Sequence, residues 1–335
     1  MIDSRSTEQP AAPRARSLGF GCAGLHSLPG RRERSAVLEA AYDLGIRHFD
    51  VAPIYGLGRA EAELAGFAQR HPDIRIATKF GIRPTAIGHL AGLVQPPIRR
   101  LLQKTATLKS SIKQSGATPD AGAVGRILYA RQPYSAASAE RALASSLRAL
   151  GTERIEYFFL HEPVGVPAND YRDLVNYLEA QRSRGLIGHW GPAGDLSSTD
   201  DAMVATLTVR APALQFPYDL IGGYRGPQPE PDRPFITFGF LSGALPQVTD
   251  VLRREPELRK RCSALLDADL GDARTVLKLL VRDAVSHNHD GIVLLSSTKI
   301  KNLEMACASA DVALRNESQV AAMIRDQFLG VGAQQ

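Results

Sequence analysis

Three apolar runs in this 335-residue chain each end in an ionisable residue: IRHFD in Asp50, IRIATK in Lys79 and IEYFFLH in His161. A tyrosine, Tyr55, follows Asp50 by five positions in the segment PIYG. Gathered in one place, these four groups would do proton chemistry. A free phenol, with a pKa of about 10, is a poor proton donor at neutral pH. An ammonium beside it favours the phenolate and lowers that pKa, while a carboxylate keeps the ammonium charged and in place. An imidazole nearby can donate a hydrogen bond to a substrate oxygen and orient it. The set therefore predicts a general acid that protonates an oxygen gaining negative charge, as when a carbonyl accepts hydride; such catalysis contributes about 10²–10⁴ in rate. No side chain can donate hydride, so a reduced cofactor must supply it. Taken singly, Asp50 and Lys79 read equally well as a structural ion pair, Tyr55 as packing and His161 as a core histidine. Their shared position at the ends of apolar runs joins them into a candidate site.

The elements that must position these groups are legible as an alternation. Short apolar runs at 17–21, 48–51, 74–79, 155–160, 187–191, 213–216, 235–238 and 291–295 read as strands. Helical patterns lie between or after them at 34–44, 59–69, 138–150, 171–183, 200–209, 272–287, 301–310 and 317–329. Ser138 precedes the third of these and Gly151 stops it, as helix ends require. Apolar strands spaced by crossover helices imply a parallel sheet covered on both sides. Eight of them favour closure into a single (β/α)₈ TIM barrel, which carries its chemistry at the C-terminal ends of the strands. No GxGxxG follows a strand, which weakens an open dinucleotide-binding sheet. The stretch from Pro217 to Pro234 is so rich in proline that the sixth helix is predicted short or missing.

Composition sets the outer bounds. At 44% apolar and 22% charged the chain is globular rather than disordered or collagenous. Three cysteines, Cys22, Cys262 and Cys307, with no CxxC spacing, exclude a disulfide framework and a Cys-rich zinc site. His287 and His289 have no carboxylate or cysteine at useful spacing, so no metal is expected. No run approaches the length of a membrane span, and residues 1–16, which lack the apolar core of a secretory signal, read as a disordered tail; a cytoplasmic protein is expected. The domain expectation is one barrel over 17–330 with an insertion at 83–135 after the third strand. That insertion holds eight basic residues (Arg83, Arg99, Arg100, Lys104, Lys109, Lys113, Arg126, Arg131) against one acid, Asp120, so it carries +7 where the whole chain carries +5. It contains one continuous helical pattern, 98–112. It reads either as a solvated insertion or as a lid that concentrates anionic ligands. Nucleic acid is not expected as a partner, because aromatic residues are nearly absent there. Trp190 reads either as lining for a substrate pocket or as core, and Arg31-Arg32-Glu33-Arg34 as a solvated turn before the first helix.

The segments GIRHFDVAPIYGLGRAEAELAGF (45–67), IATKFG (76–81) and SAERALASSLRALGTERIEYFFLHEP (138–163) resemble those of the aldo-keto reductases. The similarity is strongest over 17–82 and 138–195 and weaker to about residue 310. The resemblance implies a (β/α)₈ barrel that uses a nicotinamide cofactor, usually NADP(H) and in some members NAD(H), to reduce a small aldehyde or ketone. By motif, Tyr55 would be the proton donor, Lys79 and Asp50 would tune it, and His161 would orient the carbonyl. Gly21 and Cys22 would lie where the first strand approaches the nicotinamide, Gln215 would hold its amide, and Ser296, Ser297, Thr298 and Lys299 would hold the phosphate at a helix start. The cofactor half also departs from the pattern. Ala193 and Gly194 stand where the family has a Ser-Asn pair, Phe235 or Phe238 where it has a stacking aromatic, and Met305-Ala306 where it has a Glu-Asn pair near adenine. Two functions of different class therefore remain open: an oxidoreductase on an anionic or sugar-like carbonyl compound, or a barrel that has lost productive cofactor use and serves as a ligand sensor, subunit or proton-transfer enzyme. A monomer or weak homo-oligomer is expected.

Overall fold

The computed structural model describes residues 17–93, 122–165, 167–196 and 202–329. The expected tail at 1–16 and the expected helix at 98–112 lie outside them. Eight parallel strands close on themselves: β1 (Leu18–Gly21), β2 (His48–Asp50), β3 (Arg75–Phe80), β4 (Ile155–His161), β5 (Ile187–Ala193), β6 (Leu214–Asp219), β7 (Phe235–Phe238) and β8 (Ile292–Leu295). Each pairs with the next, β8 returns to β1, and the circle is complete, so the fold is the (β/α)₈ TIM barrel.

Around it run α1 (Arg31–Asp43), α2 (Ala60–Arg70), α3 (Ala136–Leu150), α4 (Ala168–Ser183), α5 (Ala202–Arg210), α6 (Ala244–Arg254), α7 (Pro256–Leu266), α8 (Ala273–His287), α9 (Ile300–Asp311) and α10 (Glu317–Leu329). Local chemistry sets their ends. The Ser135 hydroxyl, rather than Ser138, caps α3 by accepting from the Ser138 amide at 3.4 Å, and Gly151 ends the helix in the left-handed region. Asp272 caps α8 through the Arg274 amide at 2.9 Å. No helix joins β6 to β7; the connection holds only the short strand Gly223–Tyr224, which folds back antiparallel on the end of β6. The prolines of that stretch explain why.

Three sequence expectations need correction. Residues 31–34 are the first turn of α1, not a solvated turn before it. Arg34 is buried, its Nε 2.6 Å from Glu63 Oε1 and one terminal nitrogen 2.9 Å from the Leu28 carbonyl. Helices α6 and α7 are not anticipated from the sequence; their apolar stripe, Val248, Leu252, Leu258, Cys262 and Leu266, packs into a second core with α8 and α10. Asp283 lies one turn before His287 and approaches its ring at 3.4 Å, so a carboxylate was at useful spacing after all.

The main core lies between sheet and helices and includes Phe49, Phe80, Phe158 and Phe216, each at most 1% exposed. Burying one such side chain stabilises by about 1.5–3 kcal/mol, enough to fix strand register, since a slip by one residue would turn it into the lumen. The sheet is unevenly stitched. Strands β4 and β5 share six registered pairs, whereas β5 and β6 share one, Ala193 with Gln215. Gly191 makes that junction close, because a Cβ there would run into the Ala213 carbonyl.

Between β3 and α3 the described chain forms a hairpin, Ile82–Pro84 against Tyr129–Arg131, and two short helices, Ala86–Leu93 and Gly122–Leu128. Ile82 and Tyr129 of the hairpin pack on Ala52 and Ile54 beside Tyr55.

Candidate functional site

Alternation along the strands places Asp50, Lys79, His161 and Gln215 on the inner face of the barrel. Register then sets their heights. Asp50 lies level with Ala77, so Lys79 stands one pleat higher, while His161, Ala193 and Gln215 share one level at the mouth. Tyr55 lies in the short turn Tyr55–Leu57 after β2.

The four predicted groups are gathered around the lysine. Lys79 Nζ donates to Asp50 Oδ1 at 2.5 Å, to the Val51 carbonyl at 3.4 Å and to the Tyr55 hydroxyl at 3.5 Å. Gln215 Nε2 donates to Asp50 Oδ2 at 2.8 Å, so both carboxylate oxygens are engaged. His161 is buried at the same mouth, and its Nδ1 has no hydrogen-bond partner among the described residues.

Burial governs the protonation states. For Lys79, desolvation works against the charge, but Asp50 and the phenol more than offset it and the net direction is up. The ammonium is therefore locked on. Burial pushes the Tyr55 phenol up; Lys79 pulls it back, Asp50 opposes Lys79, and the net direction remains up. That corrects the sequence expectation of a lowered phenol pKa: burial outweighs the pull of Lys79, which Asp50 further opposes. Burial, then the charges of Lys79 and Arg131, lower the His161 pKa to about 3. Its imidazole is neutral at physiological pH, with one N–H to donate.

The remaining sequence candidates divide. Gly21 faces Asp50 in register, and the hydroxyl of Ser296 sits where a Gly21 Cβ would point. Cys22 is buried beside it, with burial and Asp50 driving its thiol pKa up, so it stays protonated. Gln215 Oε1 is a buried acceptor with no partner among the described residues. Ser296 and Lys299 are exposed, Ser297 and Thr298 half-buried. The Lys299 amide donates to Ser297 Oγ at 3.2 Å, and no side chain caps α9, which starts at the next residue. Of the two candidate aromatics, Phe238 joins the inner cluster of the barrel, whereas Phe235 packs outside it against Phe216 and Tyr224. Trp190 is core, 1% exposed, and donates to Glu179 Oε1 at 2.7 Å. Ala306 is buried and apolar, so no adenine contact comes from it.

Of three further residues near the site, Arg131 figured in the sequence only as one of the basic residues of 83–135 and Glu162 only within the LHEP segment, while Tyr134 had no signal. Tyr134, in QPYS, donates to the carbonyls of His161 and Glu162; Arg131 donates to the Glu162 carbonyl; Glu162 itself has a positive φ. Two concavities, of 310 and 370 Å³, open at the opposite, N-terminal end of the barrel, so concavity alone does not mark this site. Their linings hold none of the four groups.

With this geometry in view, the sequence profile of the Aldo/keto reductase family matches residues 17–222. The chain belongs to that family. Among curated relatives of the chain, D-threo-aldose 1-dehydrogenase of a Pseudomonas species is 31% identical over 169 residues, 47% of this chain and 44% of that protein. Pyridoxal 4-dehydrogenase of Microbacterium luteolum is 41% identical over 85 residues, 24% of each chain. The chain spans less than half the length of these curated relatives. An aldo-keto reductase from Bacillus halodurans in its holo form superposes with a TM-score of 0.61 at 15% identity, covering 92% of this chain and 91% of that one. One from Klebsiella pneumoniae in complex with NADP and acetate gives 0.56 at 17% identity over 92% and 91%. At such identities the likeness is one of fold. No helix among the described residues is long and apolar enough to cross a membrane.

Proposed function

We propose that this chain is an NADP(H)-dependent oxidoreductase that reduces a small aldehyde or ketone to an alcohol, with Tyr55 as general acid. One observation carries the proposal: a lysine ammonium, buried inside the barrel mouth, bridges a carboxylate at 2.5 Å and a phenol at 3.5 Å, next to a histidine that is neutral. The raised phenol pKa keeps its proton at neutral pH, which a donor requires. Once that proton leaves, Lys79 stabilises the phenolate. Asp50 holds Lys79 in place, and Gln215 holds Asp50. The neutral His161 donates a hydrogen bond to the carbonyl oxygen, which orients the carbonyl and stabilises negative charge as it develops there.

The residues present fit a nicotinamide dinucleotide. The buried, unpartnered Gln215 Oε1 suits the N–H of a carboxamide. The uncapped start of α9, with Ser296, Ser297, Thr298 and Lys299, suits a phosphate, because first-turn amides and the helix dipole favour anions. When bound, the dinucleotide supplies the hydride. Ala193 and Gly194 provide no side-chain bond to it, which costs about 0.5–1.5 kcal/mol per neutral contact and weakens the grip without abolishing it. NAD(H) is the less favoured cofactor, since the phosphate segment is retained. A sugar-like or anionic carbonyl compound is the proposed substrate, from the basic composition of residues 83–135 and the aldose dehydrogenase among the relatives.

Titration with NADPH and NADH, followed by quenching of intrinsic fluorescence, tests the cofactor. Tyr55→Phe is expected to abolish carbonyl reduction while leaving dinucleotide affinity nearly intact. Full activity in that variant refutes the role of Tyr55, and no quenching by either dinucleotide at millimolar levels shifts the reading to a non-redox barrel.

A further inference from the structure

One buried phenol outside the four-group set touches the backbone beyond both Lys79 and His161. Tyr134 is 4% exposed and follows the hairpin of the segment between β3 and α3. Its hydroxyl donates to the carbonyl of His161 at 2.5 Å and to that of Glu162 at 3.0 Å, at the end of β4. Its ring lies against Gly81, two residues past Lys79, with the hydroxyl oxygen 2.6 Å from where a Cβ would stand. The Gly81 carbonyl in turn accepts from the Gln132 amide at 2.7 Å. The corner that Tyr134 grips is strained: Glu162 has φ +52°, a left-handed conformation in a residue other than glycine. Such a residue costs about 1–3 kcal/mol and persists only where its surroundings over-determine it. Here they do. Arg131 donates to the Glu162 carbonyl at 3.1 Å and faces its carboxylate at 3.5 Å, and the Glu162 amide donates to the Ala193 carbonyl at 2.7 Å.

We infer that Tyr134 is a positioning residue: by tying the chain just past Lys79 to the His161–Glu162 corner, it sets where the His161 imidazole stands relative to Lys79 and Tyr55. The inference rests on the carbonyl-reducing reading above. It also gives the hairpin strand Tyr129–Arg131 and the turn after it a task at the site, that of a brace. A hydroxyl that merely satisfied two buried carbonyls would add stability and leave turnover alone.

Tyr134→Phe separates the two roles, because it keeps the ring on Gly81 and removes only the donor. With NADPH and benzaldehyde as probes, kcat is expected to fall about 10- to 100-fold, the range that small misplacement of a reacting group produces. KM should change by less than about threefold, and the NADPH dissociation constant, read by fluorescence quenching, by less than about twofold. The side-chain NMR resonances of His161, assigned against a His161→Asn variant, should move. Wild-type kcat together with unmoved His161 resonances overturns the inference. Arg131→Met is the second variant, at a half-exposed side chain. It removes a donor on the Glu162 carbonyl and the ion pair with the Glu162 carboxylate, so kcat should fall roughly threefold with NADPH affinity unchanged. Should Tyr134→Phe fail to fold, an unchanged kcat in Arg131→Met overturns the inference. Should the wild-type protein reduce no carbonyl, the proposed function fails by itself, and the His161 resonances still decide: displaced in Tyr134→Phe they support the brace, coincident they refute it.

Discussion

Acid should destabilise this barrel from within, through a histidine below the proposed site. His48 lies on β2, two residues before Asp50 and on the same inner face, and it is 4% exposed. Neither ring nitrogen has a hydrogen-bond partner among the described residues, and the Tyr157 ring meets it edge-on at 5.3 Å. Burial is the main cause that lowers its pKa from 6.5 to about 4; Asp50 and Glu156 oppose the shift, while Lys79 and Arg75 add to it. The folded state thus keeps this imidazole neutral where the unfolded chain would protonate it. Stability is fully present above the unfolded pKa and is lost as pH falls through 6.5 towards 4. From these two values, lowering the pH from about 8 to about 5 should cost about 2 kcal/mol through His48 alone. His48→Leu removes the titrating group and fills similar volume. Urea unfolding followed by circular dichroism at both pH values gives the comparison. Titrating groups not coupled to His48 are common to the two proteins and cancel in the difference, so the wild type should lose about 2 kcal/mol more than the variant on acidification. Equal losses within about 0.5 kcal/mol would refute the claim that His48 is held neutral in the lumen.

Three further outcomes are expected. Lys79→Met strands the Asp50 carboxylate and should destabilise the fold by about 3–5 kcal/mol; adding Asp50→Asn should restore most of that, measured as a double-mutant cycle of urea midpoints. Gly81→Ala forces a side chain into a backbone with φ +110° and into the Tyr134 ring, so the melting temperature should fall by an amount corresponding to at least about 1–3 kcal/mol. Gln215→Leu removes both a partner of Asp50 and the orphaned acceptor, so NADPH affinity should weaken by about tenfold; unchanged quenching curves would exclude Gln215 from the dinucleotide site.

The strands and the gathering at Lys79 were legible because both follow from periodic rules. Apolar runs that end in a polar residue place that residue at the mouth of any parallel barrel, whatever lies between. The direction of the Tyr55 shift was not legible, because it depends on how completely the phenol is buried and on how far Asp50 cancels Lys79, and neither quantity is in the residue order. Tyr134 and Glu162 were hidden for a related reason. Their bonds run to backbone carbonyls brought close by the fold, and a backbone carbonyl carries no sequence signature. Helices α6 and α7 pack their apolar stripe on a second core with α8 and α10, outside the strand–helix alternation that marks the barrel.

The single registered pair between β5 and β6 makes the cylinder unequal around its girth. In deuterated water, amides near Ala193 and Gln215 are expected to exchange ahead of those between β4 and β5. A wall that breathes would part there first. Gln215 stands at that seam and reaches across the barrel to Asp50, so a shift of the seam would be felt at Lys79.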